Sequence, residues 1–167
     1  MKIKLLEQYE IKELFRILSD KNINKNLCAN PTTITESNLG GWLLTTEPGT
    51  TSCAYSIYSD NKLRGVITLN NISRIKNSAF VGVIAVESCT PKMVGVKAGR
   101  WIMKHCFETL NLNRIYGHTW ADNKQMDAFY KRMGATLEGI EREHTWKQGQ
   151  YVDMKIWSIL RGEYHGN

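Results

Sequence analysis

The sequence lacks the marks of a nucleic-acid-binding protein and of a cysteine-ligated metal protein. Lys and Arg number 22 against 16 Asp and Glu, yet no run of five or more basic residues occurs, which argues against a nucleic-acid partner. The four cysteines, Cys28, Cys53, Cys89 and Cys106, are irregularly spaced and form no C-x-x-C pair. We therefore expect neither a zinc site nor any other bound metal.

Long apolar segments are absent too. No uninterrupted apolar run reaches the length of a membrane span, and the N-terminal stretch is interrupted by Lys2, Lys4 and Glu7, unlike a signal peptide. These absences favour a cytoplasmic protein with reduced thiols and no membrane partner. With 42% hydrophobic residues, the 167-residue chain suits one globular domain, residues 1–167. The net charge of +6 fits an anionic small ligand, and equally a soluble surface.

Hydrophobic periodicity predicts an alternation of strands and helices. We predict strands at 1–6, 52–59, 63–70, 79–86, 114–120, 136–144 and 151–160, helices at 8–20, 35–45, 94–110 and 124–133, and a loop at 21–33. Asp60-Asn61 marks a hairpin turn between the second and third strands. This order predicts an α/β (α+β) fold with a mixed, mostly antiparallel sheet of six to seven strands and about four helices.

A first candidate site lies where the strand ending at Val86 passes through a polar turn into a helix. The start of a helix presents unpaired N–H groups and the positive end of its dipole, a combination that binds phosphate. Gly95 permits close approach, and Lys92, Lys97 and Arg100 add positive charge. The same residues also fit an ordinary strand-to-helix connection with solvated lysines.

A second candidate pair is Asn123 and Tyr130, seven residues apart. On a helix this spacing is about two turns, so both side chains share one face. A helix-capping Asn and a packed Tyr would produce the same pattern. Gly134 then marks the end of the helix.

The segment from strand 114–120 through Asn123 and Tyr130 to Gly134 resembles the acyl-CoA end of a GCN5-related N-acetyltransferase (GNAT). Glu138-Gly-Ile-Glu-Arg142 and Gly149-Gln-Tyr151-Val-Asp153 are similar to the RimJ/RimL-like branch. The resemblance covers residues 79–164 well, and residues 1–70 only by the order of elements. One motif departs: where the family has Gln/Arg-x-x-Gly-x-Gly/Ala, this chain has Thr90-Pro-Lys-Met93-Val-Gly95, and only the last glycine matches.

The resemblance implies a sheet whose two central strands splay apart to admit acetyl-CoA as co-substrate. An acetyl group would pass directly to a primary amine in a ternary complex, with Tyr130 protonating the departing CoA thiolate. His118 or Glu87 would remove the amine proton, or no side chain would be needed. The cofactor-binding residues would be Ile84, Ala85, Val86, Lys92, Met93, Val94, Gly95, Val96, Lys97, Asn123 and Lys131.

The acceptor amine is less well specified by the sequence. Tyr55, Tyr58, Trp120, His144 and Trp146 could stack on a sugar or base, or could be core residues. We favour a small amine, with an amino-sugar nucleotide slightly ahead of a protein N-terminal amine. A non-catalytic CoA-binding member is the alternative that Thr90 and Met93 raise. The resemblance also implies a homodimer formed through the closing strands, the predicted pair at 136–144 and 151–160.

Overall fold

The computed structural model describes residues 1–24, 27, 35–46, 51–87, 92–147 and 149–166, without the side chains of residues 24, 83–85 and 92. Within these ranges the strands are β1 (Lys2–Leu5), β2 (Cys53–Ser59), β3 (Lys62–Ser73), β4 (Ser78–Val86), β5 (Arg114–Trp120), β6 (Thr136–Lys147) and β7 (Gln150–Leu160). The α-helices are α1 (Ile11–Leu18), α2 (Lys21–Asn24), α3 (Glu36–Leu43), α4 (Lys92–Lys104) and α5 (Lys124–Arg132). None of these helices is long and apolar enough to cross a bilayer.

The strands form one sheet in the order β1-β2-β3-β4-β5-β7-β6. Neighbouring strands run antiparallel at every position except between β4 and β5, which are parallel. The predicted α/β fold with a mixed, mostly antiparallel sheet is therefore confirmed. The predicted loop at 21–33 is wrong at its start, where Lys21–Asn24 forms α2. Four residues are too few to show a helical hydrophobic period.

Each face of the sheet carries its own apolar core. On one face Leu14 and Ile17 of α1 pack with Leu43 of α3 against Ala54 and Val66. On the other, α4 packs through Ala98 and Ile102 against a cluster that includes Tyr55 and Ile57. Because successive strand residues point to opposite faces, β2 contributes to both cores. Tyr55 is accordingly a core residue, which decides between its two predicted roles.

The turn between β2 and β3 follows directly from its sequence. Asp60 and Asn61 have φ of 53° and 57°, in the left-handed region that Asn and Asp tolerate. Two such residues form the turn whose twist matches a β-hairpin, so the predicted hairpin is confirmed.

Helix α4 begins two residues before the predicted start and ends in a π-helical turn at His105–Thr109. His105 stacks on Trp101, with ring centroids 5.0 Å apart, and its Nε2 lies 2.9 Å from the Tyr55 hydroxyl. The wider turn thus accommodates a half-buried imidazole that links α4 to β2. Burial lowers the pKa of His105.

Candidate active site

The central feature of the site is a fork between β4 and β5. The two strands pair only from Ser78↔Arg114 to Phe80↔Tyr116. Beyond that point β4 continues to Val86 along β3, while β5 continues to Trp120 along β7. Among the described residues the facing edges of the two strands are then unpaired with each other, which leaves backbone donors and acceptors open to a ligand. The predicted pair of splayed central strands is confirmed.

Gly117 on β5 lies just beyond the last pairing and touches Tyr130. A Cβ atom built on Gly117 would lie 2.2 Å from the Tyr130 hydroxyl oxygen and 3.2 Å from the carbonyl oxygen of Val81. The phenol therefore rests directly against the backbone of the fork. Gly117 pairs with Trp157 in regular register, so the glycine serves to admit this phenol and does not mark a bulge.

The Tyr130 ring is held from two sides. It stacks on Trp157 of β7, with ring centroids 5.4 Å apart and planes at 4°, and meets Phe129 edge to face at 5.8 Å. Aromatic contacts of this kind restrict where the ring can move. Helix α5 thus fixes a hydroxyl at the parting of β4 and β5.

Asn123 is the N-cap of α5. Its Oδ1 accepts a hydrogen bond from the backbone N–H of Met126 at 3.1 Å, and the residue is buried. The capping role considered from the sequence is therefore present in the structure. Gly134 follows the helix with φ of 77°, as predicted for its end, and Lys131 is exposed on α5.

The predicted phosphate site lies at the start of α4, beside the end of β4. Met93, where the family motif has a glycine, is in the first helical turn with 47% of its surface exposed. Its backbone needs no left-handed conformation, so the departure adds a side chain without adding strain. Val94 is buried, Val96 is partly buried, and the Cβ position of Gly95 lies 4.0 Å from Val86. Lys97 and Arg100 are exposed.

Several residues predicted from the sequence lie wholly or partly outside the described residues. Thr90 and Cys89 lie outside the described residues, as do the side chains of Ile84, Ala85 and Lys92. The backbones of Ile84 and Ala85 are described, and pair with Ile67 and Val66 of β3. Their opposite edge faces the fork.

His118 follows Gly117 on β5, and strand alternation directs it to the opposite face from the phenol contact. It meets Phe80 edge to face at 5.2 Å and lies near His144, with ring centroids 6.1 Å apart. The histidine is thus at the mouth of the fork, on the sheet face that α1 and α3 cover farther along. Sequence analysis placed it near the reacting groups but did not place His144 beside it.

Glu87 is engaged by two arginines. Its carboxylate oxygens lie 2.7 Å from Arg16 of α1 and 2.8 Å from Arg64 of β3. Its backbone N–H also donates to the carbonyl of Arg64. Glu87 therefore ties α1 to the end of β4, and two guanidinium groups already engage its carboxylate.

A family model for a GNAT acetyltransferase domain matches residues 3–156. The chain belongs to the GNAT acetyltransferase family. The putative ribosomal N-acetyltransferase YdaF of Bacillus subtilis is 28% identical over 107 residues, 64% of this chain and 58% of that protein. The probable N-acetyltransferase YjcK of the same organism is 27% identical over 103 residues, 61% and 57% of the two chains. The matches thus span less than two thirds of these relatives.

Solved structures share the fold of almost the whole chain. The spermidine N-acetyltransferase of Vibrio cholerae, solved with CoA and spermine, superposes with a TM-score of 0.88 over 98% of this chain and 96% of that one. Sequence identity is 21%, so the likeness shows a common fold. The expected family is confirmed, and the RimJ/RimL-like branch stays a prediction.

The described cysteines do not have the character of an acyl carrier. Cys106 is fully buried, which raises the pKa of its thiol to about 12. Burial also raises the pKa of the Cys53 thiol. Both remain protonated at neutral pH, and a thiol in that form is a poor nucleophile.

Sequence reasoning missed the contacts that cross between elements. Trp157 reads as an ordinary strand residue, and nothing in its spacing indicates that it stacks on Tyr130. Arg16 and Arg64 lie far from Glu87 along the chain, so only the fold brings them together. The two arginines matter most for the choice of base, because they engage the carboxylate of Glu87 and not His118.

Proposed function

We propose that the protein is an acetyl-CoA-dependent N-acetyltransferase that moves an acetyl group directly to a primary amine in a ternary complex. One observation carries the proposal: the fork between β4 and β5 meets a phenol, Tyr130, fixed against Gly117. A thioester placed in this fork would have its sulfur beside a proton donor. The family match supports the same reaction class.

The proposed cofactor site follows the open edge of β4. The pantetheine arm would pair with the backbone of Ile84, Ala85 and Val86 as an added strand. A backbone N–H there would hold the oxyanion that forms when the thioester carbonyl is attacked. The pyrophosphate would lie at the start of α4, on the N–H groups of residues 93–96 with Lys92 and Lys97 nearby. Asn123 and Lys131 would flank the arm from the side of α5.

Transfer then requires two proton movements. The amine nitrogen attacks the thioester carbon, and collapse of the tetrahedral intermediate breaks the carbon–sulfur bond. Tyr130 donates its proton to the departing CoA thiolate. A proton donor placed in this way contributes about 100-fold or more to the rate.

For the proton that leaves the amine, we propose His118 as acceptor in preference to Glu87. His118 is at the mouth of the fork, across the strand from the phenol. Glu87 already balances two guanidinium groups. An amine that arrives uncharged would need neither residue.

We propose a small amine as acceptor, such as an amino-sugar nucleotide. Trp146 and Tyr151 support this class, because they expose 61% of their surfaces and pack edge to face at the β6–β7 hairpin. Exposed aromatic rings of this kind can stack on a sugar or a base. A protein N-terminal amine is the second candidate, favoured by the relative named as a putative ribosomal N-acetyltransferase. That candidate agrees with the predicted RimJ/RimL-like branch.

The decisive experiment removes the phenolic hydroxyl. Tyr130→Phe should lower kcat about 100-fold, while the Kd for acetyl-CoA measured by calorimetry changes less than about threefold. Tyr9→Phe is the matched control, since Tyr9 is 70% exposed in the turn that follows β1, where it contacts Lys4. Equal turnover in Tyr130→Phe and Tyr9→Phe would remove Tyr130 as the acid.

A panel of amines, read by CoA thiol release, tests the acceptor and the base. Amino-sugar nucleotides, N-terminal peptides and polyamines form its three arms. Cofactor binding without thiol release in any arm would favour the non-catalytic alternative. For the amine that responds best, His118→Ala should lower kcat and shift its dependence on pH. An unchanged profile would assign the step to Glu87 or to an amine that arrives uncharged.

A further inference from the structure

Three potential metal ligands converge on the sheet face that carries His118. His118 of β5 faces Glu141 and His144 of β6, and one ligating atom from each lies within 4.8 Å of the other two. The Glu141 Oε2 atom is 3.2 Å from Nδ1 of His144 and 3.9 Å from Nδ1 of His118. Two imidazoles and a carboxylate form a common donor set for transition-metal ions.

The backbone of β6 is distorted where this cluster forms. Pairing with β7 passes from Glu141↔Met154 to Thr145↔Val152, so four steps along β6 match two along β7. Within the bulge Glu143 has φ of 50°, and its N–H donates to Asp153 Oδ1 at 2.8 Å. In a regular strand residues three apart point to opposite faces. The bulge brings Glu141 and His144 to the same face of the sheet, where both side chains lie close to His118.

The contact between Glu141 and the histidines is not an ordinary hydrogen bond. Glu141 Oε2 is buried and accepts no hydrogen bond from any described residue, although His144 Nδ1 is 3.2 Å away. Two ligands of one tetrahedral zinc, with bonds of about 2.0–2.1 Å, are separated by about 3.3 Å and do not point at each other. The 3.2 Å separation of Glu141 and His144 and their missing alignment match ligands arranged around a shared cation, whereas the 3.9 Å separation of Glu141 from His118 is wider than in a closed site.

We propose that His118, Glu141 and His144 bind one divalent transition-metal ion of the zinc type. Imidazole nitrogens favour such ions over Mg²⁺ and Ca²⁺, which prefer oxygen ligands. Three protein ligands leave at least one position for water or for a donor atom on the acceptor side. The prediction of no bound metal rested on the absence of closely spaced cysteines, whereas these three ligands are brought together by the bulge in β6.

Binding there has a consequence that rests on the proposed function. An imidazole coordinated through Nδ1 carries its proton on Nε2, so it has no lone pair left for the proton of an amine. Metal at the cluster would therefore inhibit acetyl transfer, and a chelator would restore it. The site is thus an inhibitory one.

The test measures binding first and activity second. The full-length reduced chain, stripped with a chelator, is titrated with Zn²⁺ by calorimetry and with Co²⁺ by visible absorption. Wild type should bind one ion per chain, and Glu141→Gln and His144→Ala should each weaken binding at least 10-fold. His165→Ala is the matched control, because His165 is exposed outside the cluster, and it should bind as wild type does. Thermal unfolding checks that each variant is folded.

Several outcomes would overturn the metal site. Wild-type affinity in a folded Glu141→Gln/His144→Ala double variant is one. No uptake of Zn²⁺ at micromolar concentration is another. A thiolate charge-transfer band in the Co²⁺ spectrum would place the ion on cysteine.

The activity arm separates this inference from the proposed function. Micromolar Zn²⁺ should lower turnover at least 10-fold in wild type and in His165→Ala, whereas His144→Ala keeps its own zinc-free rate. Binding at the cluster without loss of turnover would uphold the metal site and reject both the inhibition and His118 as base. If no amine is acetylated, the binding arm alone decides the metal site.

Discussion

At the scale of single residues, Gly117 sets the position of the proposed acid. A methyl group at residue 117 would overlap the Tyr130 hydroxyl, because its Cβ would lie only 2.2 Å from the hydroxyl oxygen. Stacking on Trp157 limits how far the ring can retreat. The hydroxyl would have to leave the fork.

Gly117→Ala should therefore lower kcat at least 10-fold through displacement of the acid. Combined with Tyr130→Phe it should cost little more than either change alone, because both remove one function. Gly139→Ala is the control, since a Cβ on this strand glycine meets nothing within 4 Å. Steady-state kinetics on the four variants measures the coupling. Fully additive losses would contradict this explanation.

Glu138 supplies a prediction for the dependence of stability on pH. The Arg114 guanidinium and the Ser158 hydroxyl both donate to its carboxylate, and they lower its pKa from 4.5 to about 2. The unfolded chain takes up this proton near pH 4.5 and the native state only near pH 2. The contribution to stability is therefore present above pH 4.5 and is lost as the pH falls toward 2.

Glu138→Gln should lower the free energy of unfolding at pH 7 by no more than about 1 kcal/mol, because the pair is partly exposed to solvent. The difference from wild type should shrink as the pH falls from 4.5 toward 2. Urea unfolding at a series of pH values measures it. A difference that stays constant over this range would show that the ion pair is not its source.

Single residues also mark how far the sequence could reach. Asn123, Tyr130 and Gly134 could be found because capping, helical spacing and helix ending are local properties. Glu141 and His144 could not, because their common face depends on a bulge that no spacing in the sequence indicates. Similarly, the ion pairs of Glu87 join residues that are distant along the chain.

At the scale of elements, the close approach of α4 and α5 depends on Gly99. A Cβ on Gly99 would lie 2.6 Å from Phe129 and 3.0 Å from the Met133 sulfur. By contrast, a Cβ on Gly41 in α3 meets nothing within 4 Å. These two helical glycines therefore respond in opposite ways to the same substitution.

Gly99→Ala should lower the free energy of unfolding by about 1–3 kcal/mol, as overpacked sites do. Gly41→Ala should raise it by about 0.5–1 kcal/mol, because alanine is the better helix former. Chemical denaturation of the two variants provides the comparison. Stabilisation by both changes would mean that α5 is not packed closely on α4.

The elements themselves were largely predictable. Strand β5 coincides with its predicted range, and α5 differs by one residue, since both have a clear period and polar ends. The prediction failed for α2, which is only one turn long, and for the π-helical end of α4. The latter holds His105 against Trp101 and Tyr55, contacts that the hydrophobic period does not report.

At the scale of the whole molecule, the edge strand β6 bears on the predicted homodimer. Strand β6 is the last in the sheet and exposes Leu137 and Ile140. Exposed apolar side chains on an edge strand favour pairing with another chain. They support the homodimer through the closing strands, which stays a prediction.

Ile140→Lys should convert a dimer to a monomer, because it places a charge on that edge. Ile75→Lys is the matched control, since Ile75 is 98% exposed outside the strands and should leave the dimer intact. Light scattering after size-exclusion chromatography reports the mass relative to the 19.1 kDa chain. A monomeric wild type would rule out the dimer.

The three pairings between β4 and β5 have one more consequence. They are the direct strand contacts that join an antiparallel sheet of four strands to one of three. A molecule bound where these half-sheets separate would form hydrogen bonds to both β4 and β5, and would therefore hold the two half-sheets together. Amide exchange along both strands should consequently slow far more when acetyl-CoA binds than exchange in the outer hairpins. Binding in the crevice would then determine how rigidly the two halves of the protein are joined.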